Sequence, residues 1–432
     1  MKKVLCVLCI MLCALSSMFA AGSAETKATS DRPVVRVYCG WAETQLPNWR
    51  GLVEEYNSNP DNPITIQLEF FGSSGYFDRL NAEFLAGDPP EVFQLTKTVF
   101  NEYSAAGRLY DLRDYLAETG LSETLNKGAQ AWAGPLVNET GGVYGFPDFA
   151  NTSCIFYNTK MFEEYGIEEP TDMESLREAA RILNEHGKKA IVTGASDWCA
   201  TDLISKVQAQ LCGTDILIDA YLGNAQYNDP ILVEALTIVD NMVKENIIDP
   251  SSADYNDDEA IAEFVSGNAG MYTAHTAMTA PIDSMAASMP GFEYNIIKNI
   301  DFVEDPLISV PVTWGQMWCI PADCKNLDGA LEALSYLFGE YVANDTVEKV
   351  GKIYNVESWN KNLTHPALRT AVDYQMPSSA TADSFYLVDM VSSKVLENLN
   401  RGIQQMIQGR LTPQEVLDNA QQTWVDEQAQ RQ

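Results

Sequence analysis

Three histidines in 432 residues are too few and too scattered for the chemistry histidine usually carries. His186, His275 and His365 match no metal-ligand spacing. The cysteines match no zinc pattern either, and no G-x-S-x-G segment marks a nucleophile elbow. No cofactor and no metal is expected. Basic residues are also scarce: 28 Lys and Arg against 60 Asp and Glu leave a net charge of −32. That sign argues against nucleic acid and anionic membranes as partners and suits a solvated, soluble surface. The acids are numerous enough to supply a carboxylate pair for glycoside hydrolysis, but no spacing singles one out. Beyond the N-terminus no apolar run approaches the roughly 20 residues that span a bilayer. Internal repeats, low-complexity tracts and Gly/Ser linkers are absent.

What is present starts with Met1-Lys2-Lys3, an apolar run from Val4 to Leu15, and a small-residue exit from Ser16 to Ala24. This is the pattern of a secretory signal, so residues 1–24 are expected to be removed on export. Cleavage after Gly22 and cleavage after Ala24 both satisfy the small-residue rule. Cys13 follows Leu12 inside the apolar run, so no lipid anchor is expected. Six cysteines remain: Cys39, Cys154, Cys199, Cys212, Cys319 and Cys324. An oxidising compartment permits disulfides, and Cys319–Cys324 and Cys199–Cys212 are the nearest pairs. Unpaired, they would be small buried apolar residues.

The apolar fraction of 46% supports a full core, and the length suggests two or three domains. Strands are predicted over 34–38, 64–68 and 91–95, with helices over 47–56 and 76–86 between them. Strands alternating with helices imply a mostly parallel sheet covered by helices, an α/β fold. Further on, 155–157 and 190–192 read as strands. A capping box over Thr171 to Glu174 opens a helix with Leu176, Ala179, Ala180 and Leu183 on one face, and Gly187 stops it. Thr412-Pro413-Gln414-Glu415 caps another. Asp254 to Asp258 resembles the opening of a calcium loop, but Glu259 stands in place of the glycine, so it reads as the start of a helix.

In open α/β sheets, ligands bind beyond the carboxyl ends of the strands. The predicted exits carry Gly40, Trp41, Ala42 and Glu43; Phe71 to Tyr76; and Thr96, Lys97 and Thr98. Later exits fall near Trp198, near Tyr272 and His275, and near Trp314. Aromatic faces beside hydroxyls and a carboxylate suit a polyhydroxylated solute, which stacks through C–H faces and hydrogen-bonds through its rim. The Gly72–Gly75 loop lacks the spacing and lysine of a phosphate-binding loop.

Several ordered segments resemble one family. Phe84-Leu85-Ala86-Gly87-Asp88-Pro89-Pro90-Glu91-Val92 is similar to its F-x-x-G-x-x-P-D-V segment, with Glu91 for aspartate. Gly107 to Leu112, Tyr144-Gly145-Phe146-Pro147, Phe156 to Phe162, Pro170 to Leu176 and Phe264 to Met271 resemble further family segments in the same order. The chain thus resembles the extracellular solute-binding proteins, family 1, of ABC importers, in the sugar-binding branch that includes maltose-binding protein. The resemblance implies two α/β lobes (a type II-like periplasmic-binding-protein fold) with a cleft between them. It implies three hinge crossings, near Asp148–Asn151, Thr273–Ala277 and Ile320–Asn326. The first lobe would hold 25–148 plus 277–320, the second 149–276 plus 321–432. By position, the ligand residues would be Trp41, Glu43, Tyr76, Thr96, Asp148, Asn151, Trp198, Tyr272, His275, Trp314 and Trp359. The implied role is a monomeric periplasmic receptor, not an enzyme, that delivers a small carbohydrate to the membrane permease of an ABC importer. A secreted carbohydrate-active enzyme and a sensory subunit for a non-sugar ligand are the alternatives.

Overall fold

A computed structural model describes residues 32–72, 75–135, 138, 140–197, 200–308, 310–376 and 391–431. The expected signal peptide, Ser73, Ser74, Trp198 and Cys199 lie outside them. The strands are β1 (Val34–Cys39), β2 (Thr65–Phe70), β3 (Val92–Leu95), β4 (Phe146–Pro147), β5 (Asn151–Asn158), β6 (Lys189–Val192), β7 (Ala269–His275), β8 (Tyr294–Ile296), β9 (Val312–Thr313) and β10 (Met317–Cys319).

The first three strands form close to where the sequence predicts them, and for the predicted reason. β1 pairs in parallel with β2 and β3. A parallel strand covered on both faces must be apolar on both, and Val35, Val37, Tyr38 and Cys39 are all buried. The Trp49–Ser58 helix buries Trp49, Leu52, Val53 and Tyr56, one face at helical spacing. Trp49 packs its ring 5.6 Å from that of Trp318 on β10. The full order of this sheet is β2-β1-β3-β10-β4, with β10 antiparallel to both neighbours.

A second sheet has the order β6-β7-β5-β8, with β9 pairing the start of β5. β5 is antiparallel to β7 and β8, and β6 runs parallel to β7. The Met173–Glu185 helix covers it through Leu176, Ala179, Ala180 and Leu183, as expected. Its capping box sits one residue later than predicted. Asp172 accepts from the Ser175 N–H at 2.8 Å, and Ser175 Oγ reaches back to the Asp172 N–H. Asn256 and Glu259 form another capping box, so the acidic run after Asp254 does start a helix.

The chain passes between the sheets three times. The first passage, from β4 to β5, lies where expected. The others do not. After β7 the chain stays with the second sheet: the Thr279–Ala286 helix packs on the Asp257–Val265 helix, and β8 and β9 pair with β5. It returns only over 314–316, between β9 and β10. The Leu327–Leu337 helix then packs on β1 and β3, and the Glu340–Val350 helix on the Trp49–Ser58 helix. The last passage precedes the Pro366–Thr370 helix, which packs on β8. Segments expected in one lobe thus pack in the other: β8 and β9 from 277–320, and the Leu327–Leu337 helix from 321–432. Strand pairing decides this, and long-range pairing leaves no mark on local sequence.

Cys39, Cys154, Cys212, Cys319 and Cys324 are all free thiols, so the Cys319–Cys324 bridge is not formed. Cys319 is buried in β10, where it serves as a small core residue. Among the described residues no helix is long and apolar enough to cross a membrane.

Candidate functional site

The strand exits of the two sheets converge on a cleft of about 360 Å³, within the size range of small-molecule sites. The first sheet contributes Gly40, Trp41, Ala42 and Gln45 after β1, and Gln94, Thr96 and Thr98 at the end of β3. Tyr76 and Phe77 come from the first turn of the Tyr76–Ala86 helix. The second sheet contributes Asn151, His275, Ala277 and Met278, and Thr201 and Asp202 from the first turn of the Ala200–Cys212 helix. Thr313, Gly315 and Gln316 line it from the second passage, and Leu396 and Asn400 from the Ser393–Ile407 helix.

Of the residues expected there, Trp41, Tyr76, Thr96, Asn151 and His275 line the cleft. Trp41 is half-buried and rests on the Phe149 ring, 5.3 Å away and inclined by 31°. Tyr76 is buried in the cleft wall, its hydroxyl held by the Gln94 backbone: O–H to carbonyl at 2.6 Å, and N–H to hydroxyl at 3.0 Å. The ring also sets the approach to Gly40, where a Cβ would stand 3.0 Å from it. The hydroxyl of Thr96 caps the Lys97–Ala105 helix by accepting from the Val99 N–H. His275 accepts the Ala277 N–H at Nδ1, which leaves Nε2 to carry the proton of the neutral ring. Burial and the charge of Lys352 push its pKa down to about 3.

Five other residues expected at the site are not among those that line the cleft. Glu43 is exposed and holds Arg50 through two hydrogen bonds of 2.6 and 2.7 Å, away from the cleft. Asp148 is fully buried behind it. Tyr272 is fully buried in β7, stacked on Phe156 at 5.8 Å. Trp314 is fully buried where Gly128 leaves room for its ring: a Cβ there would come within 2.3 Å of it. Trp359 is buried and packs edge-on against Tyr354. All three aromatics satisfy the core, the commonest fate of a large apolar side chain. Trp198 lies outside the described residues.

Asp148 nevertheless shapes the cleft from behind. One carboxylate oxygen accepts from the backbone N–H groups of Phe149 at 2.6 Å and Gln316 at 2.8 Å. The other accepts from Gln94 Nε2 and Trp318 Nε1, both at 3.0 Å. Two cleft-lining residues, Gln94 and Gln316, are thereby fixed through one buried group. Gln94 Oε1 in turn accepts from the Gly40 N–H at 2.9 Å. Burial raises the Asp148 pKa to about 6 against these hydrogen bonds. Gly315 must be glycine: its φ is +89°, and a Cβ would stand 2.1 Å from Asp148 Oδ1.

The residues that sequence reasoning missed include four amides: Gln45, Gln94, Gln316 and Asn400. Gln94 carried a signal, since a glutamine between Phe93 and Leu95 in a strand buried throughout has to be satisfied by something specific. Leu396 and Asn400 carried none, because only the tertiary fold brings that helix to the cleft.

The lining offers aromatic faces, amides, threonine hydroxyls, one imidazole and one carboxylate, Asp202, with no Lys or Arg among the described residues. Lys97, which the sequence placed at a strand exit, turns away and donates to the Trp132 and Gly134 carbonyls at 2.6 Å each. No group of three or more His, Cys, Asp or Glu among the described residues is arranged to hold a metal.

Comparison with known proteins fits this arrangement. Residues 41–343 match the model of the bacterial extracellular solute-binding proteins. The melibiose/raffinose/stachyose-binding protein of Bacillus subtilis (strain 168) is 24% identical over 189 residues, 42% of this chain and 41% of that protein. The chain therefore aligns with less than half the length of that relative. Among solved structures, a chitin oligosaccharide binding protein superposes with a TM-score of 0.76 at 19% identity, covering 93% of this chain and 100% of the other. An ABC substrate-binding protein from Listeria monocytogenes in complex with cycloalternan does so with 0.75 at 18% identity, covering 92% and 100%. These likenesses establish a common two-lobed fold, and with 41–343 matched the chain belongs to the bacterial extracellular solute-binding proteins.

Proposed function

We propose that this protein is an extracytoplasmic receptor for a sugar or short oligosaccharide, which it delivers to the membrane permease of an ABC importer. The carrying observation is the cleft lining. Trp41 and Phe77, both half-buried, give apolar faces for the C–H surface of a sugar ring, with the buried Tyr76 beside them in the wall. Amides, hydroxyls and Asp202 give partners for its hydroxyls, and an anionic ligand would face a carboxylate and no cation. The names of the relatives, which bind melibiose, raffinose, stachyose and chitin oligosaccharides, point the same way. In this reading the ligand is released unchanged. Glycoside hydrolysis by the usual route needs two carboxyl groups flanking the bond, and only Asp202 is acidic among the described lining residues.

In this reading the lobes are the described residues of 34–148 plus 317–362 and of 149–316 plus 363–431. Closure bends the three passages, and the ligand favours the closed form only through contacts it makes to both lobes at once. The protein works as a monomer in the periplasm, with residues 1–24 removed as a signal peptide.

Titration with melibiose, raffinose and chitin oligosaccharides, followed by tryptophan emission, tests the proposal. Saturable binding by one of them is expected, with Trp41→Ala weakening it by roughly tenfold or more. Silence across a wide panel of neutral sugars would refute the sugar assignment.

A further inference from the structure

Two lysines are buried against tryptophan rings near the cleft, and they are treated differently. Lys97 Nζ lies 4.8 Å over Trp132 and donates to two carbonyls. Lys352 Nζ lies 4.8 Å over Trp41 and 5.9 Å over Phe149, and it has no hydrogen-bond partner among the described residues. The side chain is only 3% exposed. A buried ammonium without a partner is among the costlier things a fold can keep, so its position calls for a reason. Its neighbours supply one. The two rings beneath the ammonium are themselves in contact, tilted by 31°, and one of them, Trp41, lines the cleft. The backbone around Lys352 is firmly held. Gly351 caps the preceding helix in a left-handed turn, the Ile353 carbonyl accepts the Ala150 N–H at 2.8 Å, and Tyr354 bridges Phe149.

We infer that Lys352 is a positioning residue of the binding site: its ammonium, clamped over Trp41 from the protein interior, fixes the ring on which the ligand stacks. This rests on the sugar-binding reading above. The lysine does not line the cleft and touches no ligand; it acts through Trp41 alone.

The surroundings make this separable by pH. The ionisable groups whose charge Lys352 feels or affects are Asp148, Cys39 and His275. Above neutrality Asp148 is ionised, its pKa being about 6. His275 is neutral, and burial pushes the Cys39 thiol far up, so it stays protonated. Burial brings Lys352 down to about 8, with Asp148 opposing the shift. Of this group, Lys352 alone changes charge in mildly alkaline solution. Its ammonium holds the ring below that range and lets go as pH rises through it.

The experiment uses the full mature protein with Lys352→Met, Lys352→Arg and Trp41→Phe, and has two arms. In the ligand-free arm, tryptophan emission is followed from about pH 7 to about pH 9.5. A single step is expected in the wild type and absent in all three variants; no step in the wild type, or a step that survives in Lys352→Met, overturns the inference. In the second arm, whichever of melibiose, raffinose or chitin oligosaccharide saturates the wild type is titrated across the same range. Lys352→Met is expected to bind roughly threefold to tenfold more weakly, the scale of a desolvated cation–π contact, with no alkaline fall. Lys352→Arg keeps a permanent charge on the ring and is expected to restore affinity without the fall. Wild-type affinity and pH profile in Lys352→Met would overturn the inference. If no sugar binds the wild type, the proposed function fails, while the emission arm still decides whether Lys352 holds Trp41.

Discussion

Asp148→Asn is expected to change the pH dependence of stability in a direction fixed by the geometry. The wild-type carboxyl is fully buried, and its pKa stands at about 6 against an ordinary 3.8. Between those values the folded protein holds one proton that the unfolded chain has released. Stability conferred by that proton is complete below 3.8 and is lost as pH rises through 6. At 1.36 kcal/mol per unit, the loss over this window is about 3 kcal/mol. An asparagine does not titrate, so the loss disappears. The amide also introduces an opposing, pH-independent cost. It keeps one acceptor oxygen, and its NH2 then faces either the Phe149 and Gln316 N–H groups or those of Gln94 and Trp318. Gln94 cannot turn to help without abandoning the Gly40 N–H, and leaving a buried donor unpaired costs about 1–3 kcal/mol. Urea unfolding of both proteins at a series of pH values separates the two effects. The stability of the wild type minus that of the variant should be positive at low pH and fall by about 3 kcal/mol on the way to neutrality. A flat difference, or one that rises with pH, would refute the assignment of a raised pKa to this carboxyl.

Two further outcomes follow from the same region. Gly315→Ala forces a Cβ to within 2.1 Å of Asp148 Oδ1 and 2.4 Å of the Phe149 carbonyl at a φ of +89°; a loss of at least about 3 kcal/mol is expected in the same urea assay. Lys352→Met relieves a buried ammonium whose pKa is drawn from 10.5 to about 8. The lysine penalty is full at neutral pH and fades as pH rises from 8 to 10.5, so the variant should be the more stable protein by up to about 3 kcal/mol at pH 7, with the gap closing in alkali.

The parts of this fold that could be read from the sequence are those that local rules govern. Val34, Val35 and Val37 are β-branched and apolar, and they lie in a strand. Leu176, Ala179, Ala180 and Leu183 recur at helical spacing, and they face a core. The strand-exit rule placed Trp41, Tyr76, Thr96, Asn151 and His275 at the cleft because it describes a backbone geometry that strand prediction already fixes. It failed where burial decides. Tyr272 and Trp314 also stand near strand ends, but their rings turn into the core, and nothing in the residues themselves separates a platform from a core tryptophan. Glu43 failed for a different reason: Arg50, seven positions on, takes both its oxygens in a contact that is local but not periodic. The passages between sheets were misplaced because Gly315, whose positive φ marks one of them, is one glycine among 27.

In the proposed reading, the polar groups around Asp148 mark where closure bends. On the first-sheet side, the Asp148 carboxylate ties the first passage to the second through the Gln316 N–H. On the second-sheet side, the same two passages are tied by the pairing of Asn151 with Thr313 and of Thr152 with Val312. Between these ties lie only Phe149 and Ala150 on one strand of the hinge, and Trp314 and Gly315 on the other. All four are buried, so the pivot is inside the molecule. Backbone rotation there swings Asn151 and Thr313 against Gln94 and Gln316, and these are the amides and hydroxyl that the two sheets present to the same cleft. A ligand that hydrogen-bonds to both pairs therefore reads the hinge angle directly, with no intervening element needed to carry the signal. The stability surrendered to bury Asp148 and Lys352 beside this pivot is the local conflict expected where a site, rather than the fold, selects the residue.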